Sequence, residues 1–239
     1  MLQATPPRKS PIFKSPPAVL GLVAVLVAVH AVLFYAGEKW QNWAYYGFAF
    51  SPARYGNDAL VTLPGAPIFT FVSYAFLHGS WGHLLANSIW LLVFGTVTAR
   101  YLGAWKFLAL AGLSALAGAL ATLAVHWGEA VTMIGASGAV CGMMTAAVPI
   151  MYGRRRFLAQ GDVGDPAGAM PLTFGELVRN RGAIIFMAVL LVLTLFSGAS
   201  GFTGTSFMSQ GSIAWEAHLG GFVGGLAGFY ALARNRMRG

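Results

Sequence analysis

The spacing of charges constrains this chain more than any other feature. Six stretches contain no Asp, Glu, Lys or Arg: Ser15–Gly37, Ala59–Ala99, Phe107–Gly128, Ala130–Gly153, Gly182–Trp215 and Ala217–Ala233. They run 23, 41, 22, 24, 34 and 17 residues. A transmembrane helix needs about 20 mostly apolar residues. A soluble domain interrupts such runs, because it must cover its surface with polar groups. The whole composition agrees: of 239 residues, 57% are hydrophobic and 9% charged, against about 25% charged in an average soluble domain. The same values exclude disorder, which requires low hydrophobicity and high charge. A single cysteine excludes an intrachain disulfide and a zinc site built on several thiolates. The expectation is an all-α, polytopic membrane protein whose size suits one bundle.

Six runs predict six transmembrane helices, near 17–36, 82–100, 105–126, 137–152, 182–199 and 216–233. The 41-residue run is too long for one span. Its first half (Pro64, Gly65, Pro67, then Phe69–Phe76) reads as interfacial or re-entrant chain. The last run is short, but its flanking Glu216 and Arg234 can reach the interface. This divides the chain into a tail over 1–16, a six-helix membrane domain over 17–234 and a tail over 235–239. The first run is longer than a signal-peptide core and lacks a small-x-small exit, so it reads as an anchor.

Six spans place both termini on one side. That side then holds 13 of the 15 basic residues, leaving only Lys39 and Arg54 opposite. By the positive-inside rule, both termini are expected in the cytoplasm. The net charge of +8 thus reflects topology. A nucleic-acid partner is not expected, since that calls for a basic patch on an exposed face. The loops differ in character. The first, Glu38 to Gly82, carries Trp40, Trp43, Tyr45, Tyr46, Phe48, Phe50 and Tyr55, which favour the membrane interface. Gly161–Met170 reads as a flexible cytoplasmic linker. Ser197–Ser212 is uncharged, rich in Gly, Ser and Thr, and reads as an outward segment able to move as a lid.

Polar side chains at membrane depth are costly and point to function. The second predicted helix begins with His83 and Asn87, four residues apart and so on one face. The fourth is entered through Gly135-Ala136-Ser137-Gly138. Its small residues leave the Ser137 hydroxyl accessible, beside the free N–H groups and positive dipole of a helix N-terminus. The sixth begins Glu216-Ala217-His218 and continues with Gly220, Gly221, Gly224, Gly225 and Gly228, which permit close helix contact. In the predicted topology all three helix starts lie at the outer side, at similar depth.

One Ser, two His and one Asn at one depth support acyl transfer. A Ser hydroxyl needs a neighbouring base, and His is the usual one. The oxyanion of a tetrahedral intermediate needs donors. Ser137 fits the nucleophile, His218 the base, and His83 with Asn87 the oxyanion donors. No buried Asp is available to orient the base, and Glu216, two residues away, points elsewhere on a helix. A dyad is therefore expected. Singly, each element has a plainer reading. The helix glycines read as packing, and Ser and Asn as interhelical hydrogen bonders. Cys141 reads as a small core residue, His30 and His126 as interfacial, and His78 as a loop-shaping hydrogen bonder. Only their shared depth weakens these readings.

The motifs Phe76-Leu77-His78, His83-x-x-x-Asn87, Gly135-Ala136-Ser137-Gly138 and Ala217-His218-Leu219-Gly220-Gly221 together resemble those of the rhomboid intramembrane serine proteases, in order, spacing and layout. The resemblance implies a six-helix rhomboid-like bundle and a Ser137–His218 dyad. It implies an oxyanion site of His83, Asn87 and the Ser137 backbone N–H, with no cofactor and no metal. It also implies that substrates are transmembrane segments of other membrane proteins, cut near their outer ends, and that the first loop sits in the membrane edge. The fifth helix with the loop after it would form the substrate gate. Two positions depart from the family pattern. Cys141 stands where many relatives carry an aromatic residue that packs against the base. Ala99 stands where relatives often carry a Glu between the glycines matched here by Gly95 and Gly103.

Cys141 motivates an alternative, a non-catalytic relative that binds or escorts transmembrane segments. A transporter ranks last, because all seven acidic residues lie at or beyond predicted span ends. The expected setting is the lipid bilayer of a bacterial inner membrane.

Overall fold

The computed structural model describes residues 15–56, 63–155, 166–199 and 215–237. Within the described residues the apolar runs are mainly helical, the conformation in which a segment satisfies its own backbone groups without water. In chain order the helices are α1 (Pro17–Ala36), α2 (Glu38–Phe48), α3 (Ala66–Ser73), α4 (Trp81–Trp90), α5 (Thr96–Leu102), α6 (Ala104–Val125), α7 (Ser137–Met151), α8 (Phe174–Arg179), α9 (Arg181–Ala199) and α10 (Trp215–Met237). A π-helical turn, Leu91–Gly95, joins α4 to α5. A two-residue hairpin, β1 (Arg154–Arg155) with β2 (Ala169–Met170), follows α7. By length and apolar composition α1, the continuous rod Trp81–Leu102 and α6 can each cross a membrane, whereas α7 and the apolar part of α9 are shorter.

Every predicted helix has its counterpart, and the differences lie between and beyond them. The first loop is largely helical: α2 occupies Glu38–Phe48, and the stretch read as re-entrant folds as α3 with a 3-10 turn, Tyr74–Phe76. Of the linker expected over 161–170, the described part forms a 3-10 turn, Pro166–Gly168, and then Ala169–Met170, which pairs with Arg154–Arg155. The last helix continues into the expected tail, to Met237. Arg236 explains the extension, since its guanidinium lies 4.7 Å over the Tyr101 ring and donates to the carbonyls of Tyr101 and Ala167. Cations at a helix C-terminus also favour its dipole. His30, expected near the interface, is buried within the protein, its ring 4.6 Å from that of Trp81.

At the centre α6, α7 and α10 pack against one another. From Gly138 to Ile150, α7 is buried throughout. A helix apolar on every side belongs in such a core, and its Gly, Ala, Cys and Thr residues let neighbours approach. The Thr145 hydroxyl also donates across the interface to the carbonyl of Phe222, at 2.9 Å. By contrast α1 buries only Val19, Leu26 and His30 and rides on the periphery.

Candidate active site at the starts of three helices

The chain reaches α7 through a segment fixed at three points. Phe50 and Met133 exchange backbone hydrogen bonds of 3.1 and 2.8 Å. The Gly135 N–H then donates to the Tyr74 carbonyl at 3.0 Å. Gly135 itself has φ +111°, a conformation that favours glycine. There is no space for a larger residue either: a Cβ on Gly135 would lie 2.6 Å from Nε2 of His83. The His83 imidazole thus lies directly over the backbone two residues before Ser137. Ser137 is the first residue of α7 and half-buried. The N–H groups of such a first turn have no partner within the helix.

The position of His218 follows from helix packing. A Cβ on Gly221 would collide with the Gly138 backbone, and one on Gly225 with that of Gly142. Both pairs step by four residues in the same direction, so α7 and α10 run parallel in contact. One turn before Gly221, His218 is level with the start of α7, as Ser137 is. His218 is buried, and its Nδ1 has no hydrogen-bond partner among the described residues. Glu216 does turn away, accepting a 2.8 Å hydrogen bond from Nε2 of His126.

Helix α4 brings the other two predicted residues. The Ser80 side chain caps it, accepting the His83 N–H at 3.1 Å. His83 and Asn87 are both buried, and α4 packs against α7. The Asn87 amide donates to the His83 carbonyl at 3.1 Å. An amide has two N–H donors, so one remains. The four predicted residues therefore sit on α4, α7 and α10, whose starts converge at one end of the molecule. Among the described residues, no group of three His, Cys, Asp or Glu is arranged to hold a metal ion. The stretch expected as a lid lies outside the described residues from 200 to 214.

Two features were not foreseen. Tyr74 is fully buried, and its hydroxyl donates to the Ala115 carbonyl at 2.9 Å. The same hydroxyl lies 3.0 Å from where a Gly138 Cβ would be, so this side chain holds α6 against the first turn of α7. A tyrosine two residues before the Phe76-Leu77-His78 motif was its only sequence signal. His78, read as shaping its loop through hydrogen bonds, does so by its backbone. Its carbonyl accepts from the Tyr45 hydroxyl at 2.9 Å, while neither ring nitrogen has a partner among the described residues. Its ring lies 5.0 Å from that of His83, between centroids.

The sequence model described as Rhomboid domain matches residues 66–235, a span containing all four predicted residues. Among curated proteins, uncharacterized proteins of Mycobacterium bovis and of two strains of Mycobacterium tuberculosis are each 30% identical over 161 residues. Those alignments cover 66% of this chain and 56% of the relatives. The chain thus spans a little over half the length of the curated relatives it matches.

Proposed function

Because the chain belongs to the rhomboid family, we propose that it is an intramembrane serine endopeptidase working through a Ser137–His218 dyad. The observation that carries this reading is the parallel, glycine-paired contact of α7 and α10, which sets both residues on adjacent first turns. His218 takes the Ser137 proton as the hydroxyl attacks a backbone carbonyl. The oxyanion meets the N–H groups at the start of α7, His83 and Asn87. As the intermediate collapses the C–N bond breaks, His218 returns the proton to the departing amine, and the acyl-enzyme is hydrolysed by water entering from the outer side. With no carboxylate on Nδ1 among the described residues, the histidine is oriented by burial and packing.

In this reading the chain crosses the membrane six times, with both termini in the cytoplasm. The bacterial relatives support a bacterial inner membrane as its setting. The substrates are transmembrane segments of other proteins. A helix hides its carbonyls in backbone hydrogen bonds, so preferred substrates carry Gly or Pro near the cut.

One observation favours a second reading. Cys141, one turn below Ser137, is fully buried where many relatives place an aromatic support for the base. A binder that escorts transmembrane segments needs no such support. Cleavage of a tagged single-span reporter in proteoliposomes separates the two. The protease reading predicts cleavage by the wild type, none by Ser137→Ala, and slow cleavage of a poly-Leu reporter. Reporter binding without cleavage, unchanged in Ser137→Ala, would establish the binder.

A further inference from the structure

The outer corner beside the proposed dyad holds a three-membered ion bridge. His126 Nδ1 lies 2.7 Å from Glu129 Oε2, and its Nε2 lies 2.8 Å from Glu216 Oε1. Two members lie in the connection after α6, and the third comes from α10. His126 caps the end of α6, Glu129 sits in the loop leading to Ser137, and Glu216 lies in the first turn of α10. Glu216 is only 5% exposed. A carboxylate so buried is costly unless it is paired, and among the described residues His126 is the ion partner it has. Helix dipoles reinforce the arrangement, with the imidazole at a C-terminus and a carboxylate at an N-terminus.

We infer that the Glu129–His126–Glu216 bridge positions the general base, fixing the first turn of α10, and so His218, against the loop that delivers Ser137. The inference rests on the proposed dyad. Glu216 precedes His218 by two residues and Glu129 precedes Ser137 by eight, so the bridge ties together the two chain segments that must meet. His126, Glu129 and Glu216 act through His218 and are positioning residues.

The bridge also has a sign. Imidazolium can donate from both nitrogens at once, and neutral imidazole from only one. The His126 pKa is held above its ordinary 6.5, first by the hydrogen bond to Glu129 and then by that to Glu216. The bridge is therefore complete below about 6.5 and is lost as pH rises through the raised value. Other titratable groups near this corner are directed elsewhere. The Tyr55 hydroxyl, on the ring beside Trp127, donates to the Pro67 carbonyl, and the Arg54 guanidinium donates to the carbonyls of Ala49 and Tyr46. His218, two residues on in the same turn of α10, is the base being positioned.

The test uses the full chain in proteoliposomes with the single-span reporter, and compares wild type, His126→Gln, Glu129→Gln and Ser137→Ala. Thermal unfolding against pH reads the bridge without any need for activity. Wild type and Ser137→Ala should lose Tm above neutral pH, His126→Gln should be flat over that range, and Glu129→Gln should show its loss at lower pH. In the cleavage assay, His126→Gln should lower kcat about tenfold to a hundredfold, as small misplacements of catalytic groups do, with KM little changed. Glu129→Gln should move the alkaline limb of kcat to lower pH. Should His126→Gln not fold, Glu129→Gln, which alters an exposed carboxylate, carries the test. Matching Tm profiles in wild type and His126→Gln, or an alkaline kcat limb that Glu129→Gln leaves in place, would overturn the inference. Cleavage that persists in Ser137→Ala overturns the proposed function instead, and the Tm profiles still decide the bridge.

Discussion

Gly135 meets two demands at once. Its φ of +111° places it where other residues are strained, and the His83 imidazole occupies the space of a side chain. Gly135→Ala should cost about 1–3 kcal/mol from backbone conformation alone. It should also displace His83, so that the protein remaining folded is still inactive. Thermal unfolding and reporter cleavage on the same preparation check both parts. Tyr74→Phe is a milder change. It removes the hydrogen bond to the Ala115 carbonyl and should cost about 1 kcal/mol, read as a lower Tm. The roles of both residues come from packing. In the sequence, Gly135 reads as one small residue among several before Ser137. Tyr74 sits in a 41-residue run without charge, where no periodicity marks it out. The burial of His30 was hidden for the same reason: nothing local shows that Trp81, 51 residues away, packs against it.

Among elements, the pair α7 and α10 decides the geometry. Gly221 touches the Gly138 backbone, whereas nothing lies within 4 Å of a Cβ on Gly112 in α6. Gly221→Ala should therefore force the helices apart, costing about 1–3 kcal/mol as overpacking does, and abolish cleavage. Gly112→Ala should be neutral or stabilise by up to about 1 kcal/mol through helix propensity. Unfolding curves and reporter cleavage of the two variants make the comparison. The long helices were legible because charges delimit them; α1 spans the predicted 17–36. Helix α2 was not, since Glu38–Phe48 carries five aromatic residues that read as interfacial chain. It becomes a helix by packing Ala44 and Tyr45 against Leu77 in a small cluster of its own.

At the scale of the whole molecule, three helix starts converge because α4, α7 and α10 begin at the same end. The sequence carried that convergence in its charge asymmetry, which orders the spans, and in four short motifs at matching depth. The ion bridge at His126 was hidden, because His126 and Glu216 are 90 residues apart and meet only in the folded chain. The proposed orientation has its own check. Cysteines placed in the 1–16 tail should be shielded from a membrane-impermeant maleimide in sealed spheroplasts, and a cysteine at Glu129 should react. The central claim is that Ser137 is a nucleophile activated by His218. A fluorophosphonate, which modifies only an activated serine, tests it most directly when the adduct is mapped by mass spectrometry. The account predicts one adduct, on Ser137, in the wild type and none in folded His218→Ala. An unmodified Ser137 in protein that cleaves the reporter, or an adduct that His218→Ala leaves undiminished, would contradict it.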